Sequence, residues 1–301
     1  MLDALQNAFF QTGDMLTSRL SAFSSFLWGW PLLILLLGTH LYLTVILRFP
    51  QRYLLKALKL YFVKDHTDKG DISPFSSLMV ALAANIGAGN IIGVGVAIAA
   101  GGPGAIFWCW LTGVLGMATR YSEGLLAIKY RVENKDGNMS GGPMFVLERG
   151  MKCKWLGVLF AVFTAIAAFG IGNLTQGNAA AEQLYHAFSI PAWGTATVLT
   201  ALTALVMLGG IRGIARVCAF FVPVMAVLYI LGCMYILIVQ ADYILPAIRY
   251  ILDCAFTGEA AAGGVVGAAV MTAMRTGVAR GLFSNAVSYT HLRAHETDSY
   301  L

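Results

Sequence analysis

The sequence predicts an all-α integral membrane protein, and three observations predict it: the share of apolar residues, the length of the apolar runs, and the lack of strand-like alternation inside them. Of 301 residues, 58% are hydrophobic and 12% charged, with a mean hydropathy of +0.73. A soluble domain of this length cannot bury that much apolar surface. A bilayer core of about 30 Å takes roughly 20 residues of helix. Such windows occur at 28–47, 74–100, 103–127, 155–188, 193–210 and 217–239, and a small-residue segment at 261–285 begins another. A membrane barrel would show alternating windows of about ten residues instead.

Residues 1–27 have no basic start and no small-residue cleavage site, and they carry Asp3 and Asp14, so they do not resemble a signal peptide. Their apolar positions Leu2, Leu5, Phe9, Leu16, Leu20 and Phe23 fit a short amphipathic interfacial helix. The transmembrane portion is 28–285. The five cysteines, at 109, 153, 218, 233 and 254, show no CxxC pair or metal-ligand spacing and read as buried apolar fillers.

The net charge of +5 reports topology rather than a nucleic-acid partner. The link Arg48 to Lys69 holds six Lys/Arg, the link Lys129 to Lys154 another six, and the turn Arg212 to Arg216 two. Alternating helices put all of these, with Arg120, on one side, which the positive-inside rule makes the cytoplasm. A local anionic-lipid patch is the secondary reading. The helix at 28–47 then runs inward, 74–100 outward, 103–127 inward, 155–188 outward, 193–210 inward and 217–239 outward, with the N-terminus of this multi-pass chain outside.

The helix 74–100 is interrupted at its centre, in "ANIGAGNIIG". Gly87 and Gly89 weaken it, while Asn85 and Asn90 bring amides that hydrocarbon does not tolerate unpaired. Irregular backbone at that depth survives where it lines a protein cavity. The N–H groups freed from Gly87 through Ala88 and Gly89 to Asn90 suit a substrate carboxylate, and the carbonyls of Ala84 and Asn85 suit Na⁺. The alternative is packing, since Gly89-x-x-x-Gly93 is also a small-xxx-small spacing. A dinucleotide-binding loop is excluded: "GAGNIIG" has the wrong third spacing, follows no strand and has no acid about 20 residues on.

The helix 155–188 supplies a second polar group, Asn173, Gln176 and Asn178, in "GNLTQGN". At about 100° per residue Asn173 and Gln176 share a side, and Asn178 points away from Gln176. Intramembrane polar residues mark function by default, with interhelical hydrogen bonding as the alternative. Arg120 and Glu123 read as an ordinary helix pair, and His40 and Glu182 as satisfied polar residues. No acid marks the two polar segments, which favours Na⁺ over H⁺ as coupling ion.

At these residues the chain resembles the alanine or glycine:cation symporter family, also called sodium:alanine symporters. The matching pieces are "GAGNIIGV" at 87–94, "GGPGAIFWCWLTGVLGMAT" at 101–119, "RYSEGLLAIKYR" at 120–131, "GGPMFVLERG" at 141–150 and "GVARGLFSN" at 277–285. Cys109 stands where the family usually has methionine. The resemblance implies a leucine-transporter-like fold of two inverted five-helix repeats, here an extra first helix, the first repeat and the start of the second. It also implies Na⁺-coupled symport of a small neutral amino acid, alanine or glycine, by alternating access, with Phe283 near the pocket.

After Asn285 the chain departs from the family pattern. Residues 286–301, "AVSYTHLRAHETDSYL", are polar without an apolar face and read as a non-native tail. The pair His291 and His295 has helical metal-ligand spacing without a third ligand. A carrier of inverted repeats needs both halves, so the chain read literally is a truncated transporter that does not transport alone. An intramembrane enzyme lacks its constellations here, HExxH, GxSxG or paired carboxylates. A channel would be expected to show rings of filter residues or charges. The preference among alanine, glycine and a D-amino acid, the ion stoichiometry and the oligomeric state are open at this level.

Overall fold

A computed structural model of the chain describes residues 2–60, 73–133, 139–168, 174–257 and 272–280. It is helical nearly throughout: α1 (Leu2–Leu27), α2 (Trp30–Ile46), α3 (Leu54–Leu60), α4 (Pro74–Asn85), α5 (Ala88–Gly101), α6 (Gly104–Lys129), α7 (Pro143–Phe145), α8 (Lys154–Ala167), α9 (Thr175–Phe188), α10 (Ala192–Leu208), α11 (Gly210–Val239) and α12 (Ala241–Thr257). A further helical stretch covers 272–280. The short strands β1 (Val132–Glu133) and β2 (Met139–Ser140) pair antiparallel. The polar tail and its histidines, together with Phe283, lie outside the described residues.

The packing centre is α6. At its start Gly104 meets the backbone of Cys254 and Ala255 on α12, where an added Cβ would sit 2.6 Å from the Cys254 carbonyl. One turn later Trp108 packs with Leu33 of α2 and with Ala273 and Val278 of the 272–280 helix. Phe107 and Phe256 stack edgewise at 5.0 Å beside it. Gly277 presses against the Ala105 carbonyl and Trp108.

Toward the other end of α6 the contact with α2 is polar. His40 Nδ1 lies 2.7 Å from Thr119 Oγ1, Thr44 Oγ1 donates to the His40 carbonyl, and Gln51 Nε2 donates to the Val114 carbonyl. His40 is thus the satisfied polar residue its sequence position suggests. Arg120 and Glu123 form the expected pair along α6 at 3.4 Å. Glu182 is exposed on α9.

On the far side α4 packs along α11 through Val80, Ala215 and Cys218. The α10–α11 turn is made by Gly209 and Gly210. Gly210 has φ +58, a left-handed conformation that strains any residue with a Cβ. Because the turn is complete there, Arg212 and Arg216 lie on the first turns of α11 and not in a loop between helices.

Several features differ from the sequence expectations. The N-terminal helix is 26 residues long, not short. Asp242, Pro246, Arg249 and Asp253 break the apolar run of α12, which therefore falls outside the spanning windows although it packs on α6. The basic link after Lys129 contains the β1–β2 pair and α7. Of the cysteines only Cys254 is buried, the other four being half-buried.

Asp14–Ile46 and Arg212–Val239 are long and apolar enough to cross a membrane. Their large side chains face outward: Phe220 is 70% exposed and Ile238 69%. Contiguous exposure of this kind marks a surface covered by something other than water, and helices of this length are long enough to span a bilayer core.

Gly104→Ala is expected to separate α12 from α6 and lower stability by about 1–3 kcal/mol, the usual cost of overpacking. Thermal unfolding in detergent, followed by tryptophan fluorescence, measures it. An unchanged midpoint would mean that the α6–α12 contact yields without cost.

Candidate functional site

The site begins with the way α4 starts and stops. Ser73 caps it, its Oγ accepting from the Ser76 N–H at 3.2 Å, and Pro74 occupies the first turn, where a missing N–H costs nothing. Twelve residues later α4 ends at Asn85. Ile86 (φ −92, ψ 56) and Gly87 (φ −109, ψ 164) leave the helical region, and α5 starts at Ala88. The break therefore falls at Ile86–Gly87. Sequence reasoning put the irregular residues at Gly87–Gly89, but Ala88 and Gly89 already belong to the first turn of α5, while Ala84 sits in the last turn of α4.

Each asparagine serves the break it flanks. Asn85 Nδ2 donates to the Ala81 carbonyl at 2.9 Å. Asn90 Nδ2 donates across the gap to the Asn85 carbonyl. The N–H groups of Asn90 and Ile91 both reach back to the Gly87 carbonyl, at 3.0 and 3.2 Å. The N–H groups ahead of these, at the start of α5, have no partner within an α-helix, and there the dipole places roughly half a positive charge.

From α9, Gln176 comes to the same point. A Cβ added to Gly87 would lie 3.1 Å from Gln176 Nε2 and 3.4 Å from Oε1, so the carboxamide rests on the bare Cα of the break. Gln176 is half-buried and Asn178 exposed, in keeping with their opposite directions on the helix. The structure thus brings Asn85, Gly87, Asn90 and Gln176 together and leaves Asn178 apart. Asn173 lies outside the described residues.

Sequence reasoning missed Arg280. Its side chain lies over Gly93, 3.1 Å from Nη1 to the position of an added Cβ. The small residue at 93 therefore admits an arginine, whereas the small-xxx-small reading expected a neighbouring helix backbone. The available signal was an arginine within the small-residue run "RTGVARG".

No cluster of three or more His, Cys, Asp or Glu able to hold a metal occurs among the described residues. What the break offers is polar backbone of both signs, N–H at the head of α5 and C=O at the foot of α4, beside the amides of Asn85, Asn90 and Gln176. That set can hold a carboxylate and a hard monovalent cation.

Asn90→Ala removes the side-chain bond across the break, worth about 1 kcal/mol. Faster hydrogen exchange at Ile86–Ile91 with unchanged protection in α6 is the expected result, read by exchange mass spectrometry. Uniform protection in both proteins would show that the bond does not hold the break.

Residues 13–288 match the description of the sodium:alanine symporter family. An uncharacterised transporter of Haemophilus influenzae is 52% identical over 270 residues, 89% of this chain and 59% of the relative. The sodium/alanine symporter AgcS of Methanococcus maripaludis is 49% identical over 275 residues, 89% of this chain and 60% of that protein. The amino-acid carrier protein AlsT of Bacillus subtilis is 34% identical over 263 residues, 87% of this chain and 55% of AlsT. The chain therefore spans little more than half the length of these relatives.

Proposed function

The chain belongs to the sodium:alanine symporter family, a family of membrane transporters, and on that premise we propose that the full-length protein carries alanine or glycine into the cell together with Na⁺ by alternating access. The observation that supports this reading most directly is the Gln176 carboxamide resting on Gly87 at the break between α4 and α5.

In this proposal the substrate carboxylate sits at the N–H groups of Gly87, Ala88 and Gly89, where the dipole of α5 favours negative charge, with Asn90 at the edge of the same site, its own N–H held by the Gly87 carbonyl. Gln176 donates to the carboxylate from α9, and Asn173, on the same side of that helix by its spacing, is a further candidate. Asn178 has no role in this arrangement. Na⁺ sits at the carbonyl end of α4, at Ala84 and Asn85, one lone pair of the Asn85 oxygen being taken by Asn90. Glycine and alanine around the break leave room for a hydrogen or methyl side chain and little more. Na⁺ is preferred to H⁺ because no buried acid marks the polar segments 81–110 and 168–184, Glu182 being exposed, and a cation needs only oxygens.

The architecture belongs to the same proposal. The helices from α4 to α11 form the first inverted repeat, α2 is the extra helix before it, and 272–280 begins the second. The basic links face the cytoplasm of an inner membrane, with the N-terminus outside. An enzyme or a channel remains the alternative class, and no observation favours it.

Labelled alanine supplied to proteoliposomes holding the full-length protein is expected to accumulate only with an inward Na⁺ gradient. Uptake of the same size without the gradient would overturn coupling. Gln176→Ala should raise KM about tenfold or more, the scale of a lost hydrogen bond to a charged group. An unchanged KM would remove Gln176 from the site.

A further inference from the structure

We propose that Arg280 is a positioning residue for the substrate carboxylate, its guanidinium held against α5 about one and a half turns beyond the break. The inference rests on the transport reading above and adds to it a charged group that neither helix of the break supplies.

The contact is intimate. An added Cβ at Gly93 would lie 3.1 Å from Arg280 Nη1, 3.2 Å from Cδ and 3.5 Å from Cζ. The outer half of the side chain therefore lies along the helix at Gly93, which is itself buried. The helix that carries Arg280 is fixed by two more close approaches, Thr276 Oγ1 against Gly101 and Gly277 against Ala105 and Trp108. The helix from which the guanidinium extends is thus held close to both α5 and α6.

Its register on α5 points it at the site. Gly93 follows Gly89 by four residues and Asn90 by three, about 40° and 60° around the helix and roughly 6 and 4.5 Å along it. Gly93 therefore shares a side of α5 with Gly89, whose N–H is among those proposed to receive the carboxylate. The helix end contributes about half a positive charge, whereas a guanidinium contributes a whole one, stays protonated and has five N–H donors. It can hold protein contacts and still act on a nearby anion through space. Ionisable groups inside spans default to function. From outside inward the order of charge becomes Arg280, carboxylate, Na⁺, which places each charge beside its opposite.

Uptake kinetics of the full-length protein in proteoliposomes under a Na⁺ gradient test this. Arg280→Gln is expected to raise KM for alanine about tenfold with kcat within about twofold, and Arg280→Lys to keep KM within about threefold. Gly93→Ala, which retains the charge and displaces it, should raise KM by an intermediate factor. An unchanged KM in Arg280→Gln overturns the proposal, as does loss of kcat at constant KM in both Arg280 variants, the mark of a purely structural clasp. Should Arg280→Gln fail to reach the membrane, Arg280→Lys decides: KM within threefold supports the role, and a tenfold rise with the charge retained overturns it. Absence of Na⁺-dependent uptake by the unaltered protein overturns the transport reading itself. Normal uptake with an insensitive Arg280→Gln overturns only the role of Arg280.

Discussion

Within lipid every backbone N–H and C=O needs a partner from the protein, because the solvent offers none. That demand governs this chain. It accounts for the near-absence of strands among the described residues, and it makes any interruption of a spanning helix costly unless other groups stand in. At Ile86–Gly87 they do: Asn90 caps the carbonyl left at the foot of α4, and Gly87 accepts two N–H groups from α5. The first N–H groups of α5 have no partner within the helix. A site of this kind does not need catalytic side chains. It needs backbone held open at a fixed place.

Holding it open falls to glycines that bring helices together and to apolar packing about α6. Gly104 and Gly277 let α12 and the 272–280 helix approach α6 to backbone distance, and Trp108 fills the space between them with Leu33, Ala273 and Val278. In lipid, close approach of this sort does what hydrophobic burial does in water, since apolar side chains gain little by leaving one hydrocarbon for another. The polar run His40, Thr44, Gln51 and Thr119 serves the α2–α6 contact in the same way, through hydrogen bonds that lipid does not compete for.

The apolar helices and the interrupted helix were legible in the sequence because both depend on local composition: long apolar runs in one case, glycine with asparagine at mid-length in the other. The exact residues of the break were not, since it is the reach of Asn90 back to Asn85 that makes Ile86 and Gly87 the non-helical pair and returns Gly89 to the helix. Helix α12 was obscured by its own charges and Pro246. Gln176 could be picked out as a polar residue at depth, but its seat on Gly87 is a long-range contact that periodicity does not carry. Arg280 over Gly93 was hidden for the same reason. A glycine looks alike in sequence whether it admits a helix, a side chain or a ligand.

The bond from Asn90 to the Asn85 carbonyl has one more consequence. It joins two half-helices that pack on different partners. Helix α4 leans on α11, and α5 leans on α6 and α9, so the two halves belong to different sets of neighbours. A change in the angle between those sets would pass directly through the place where the amide of Gln176 meets Gly87.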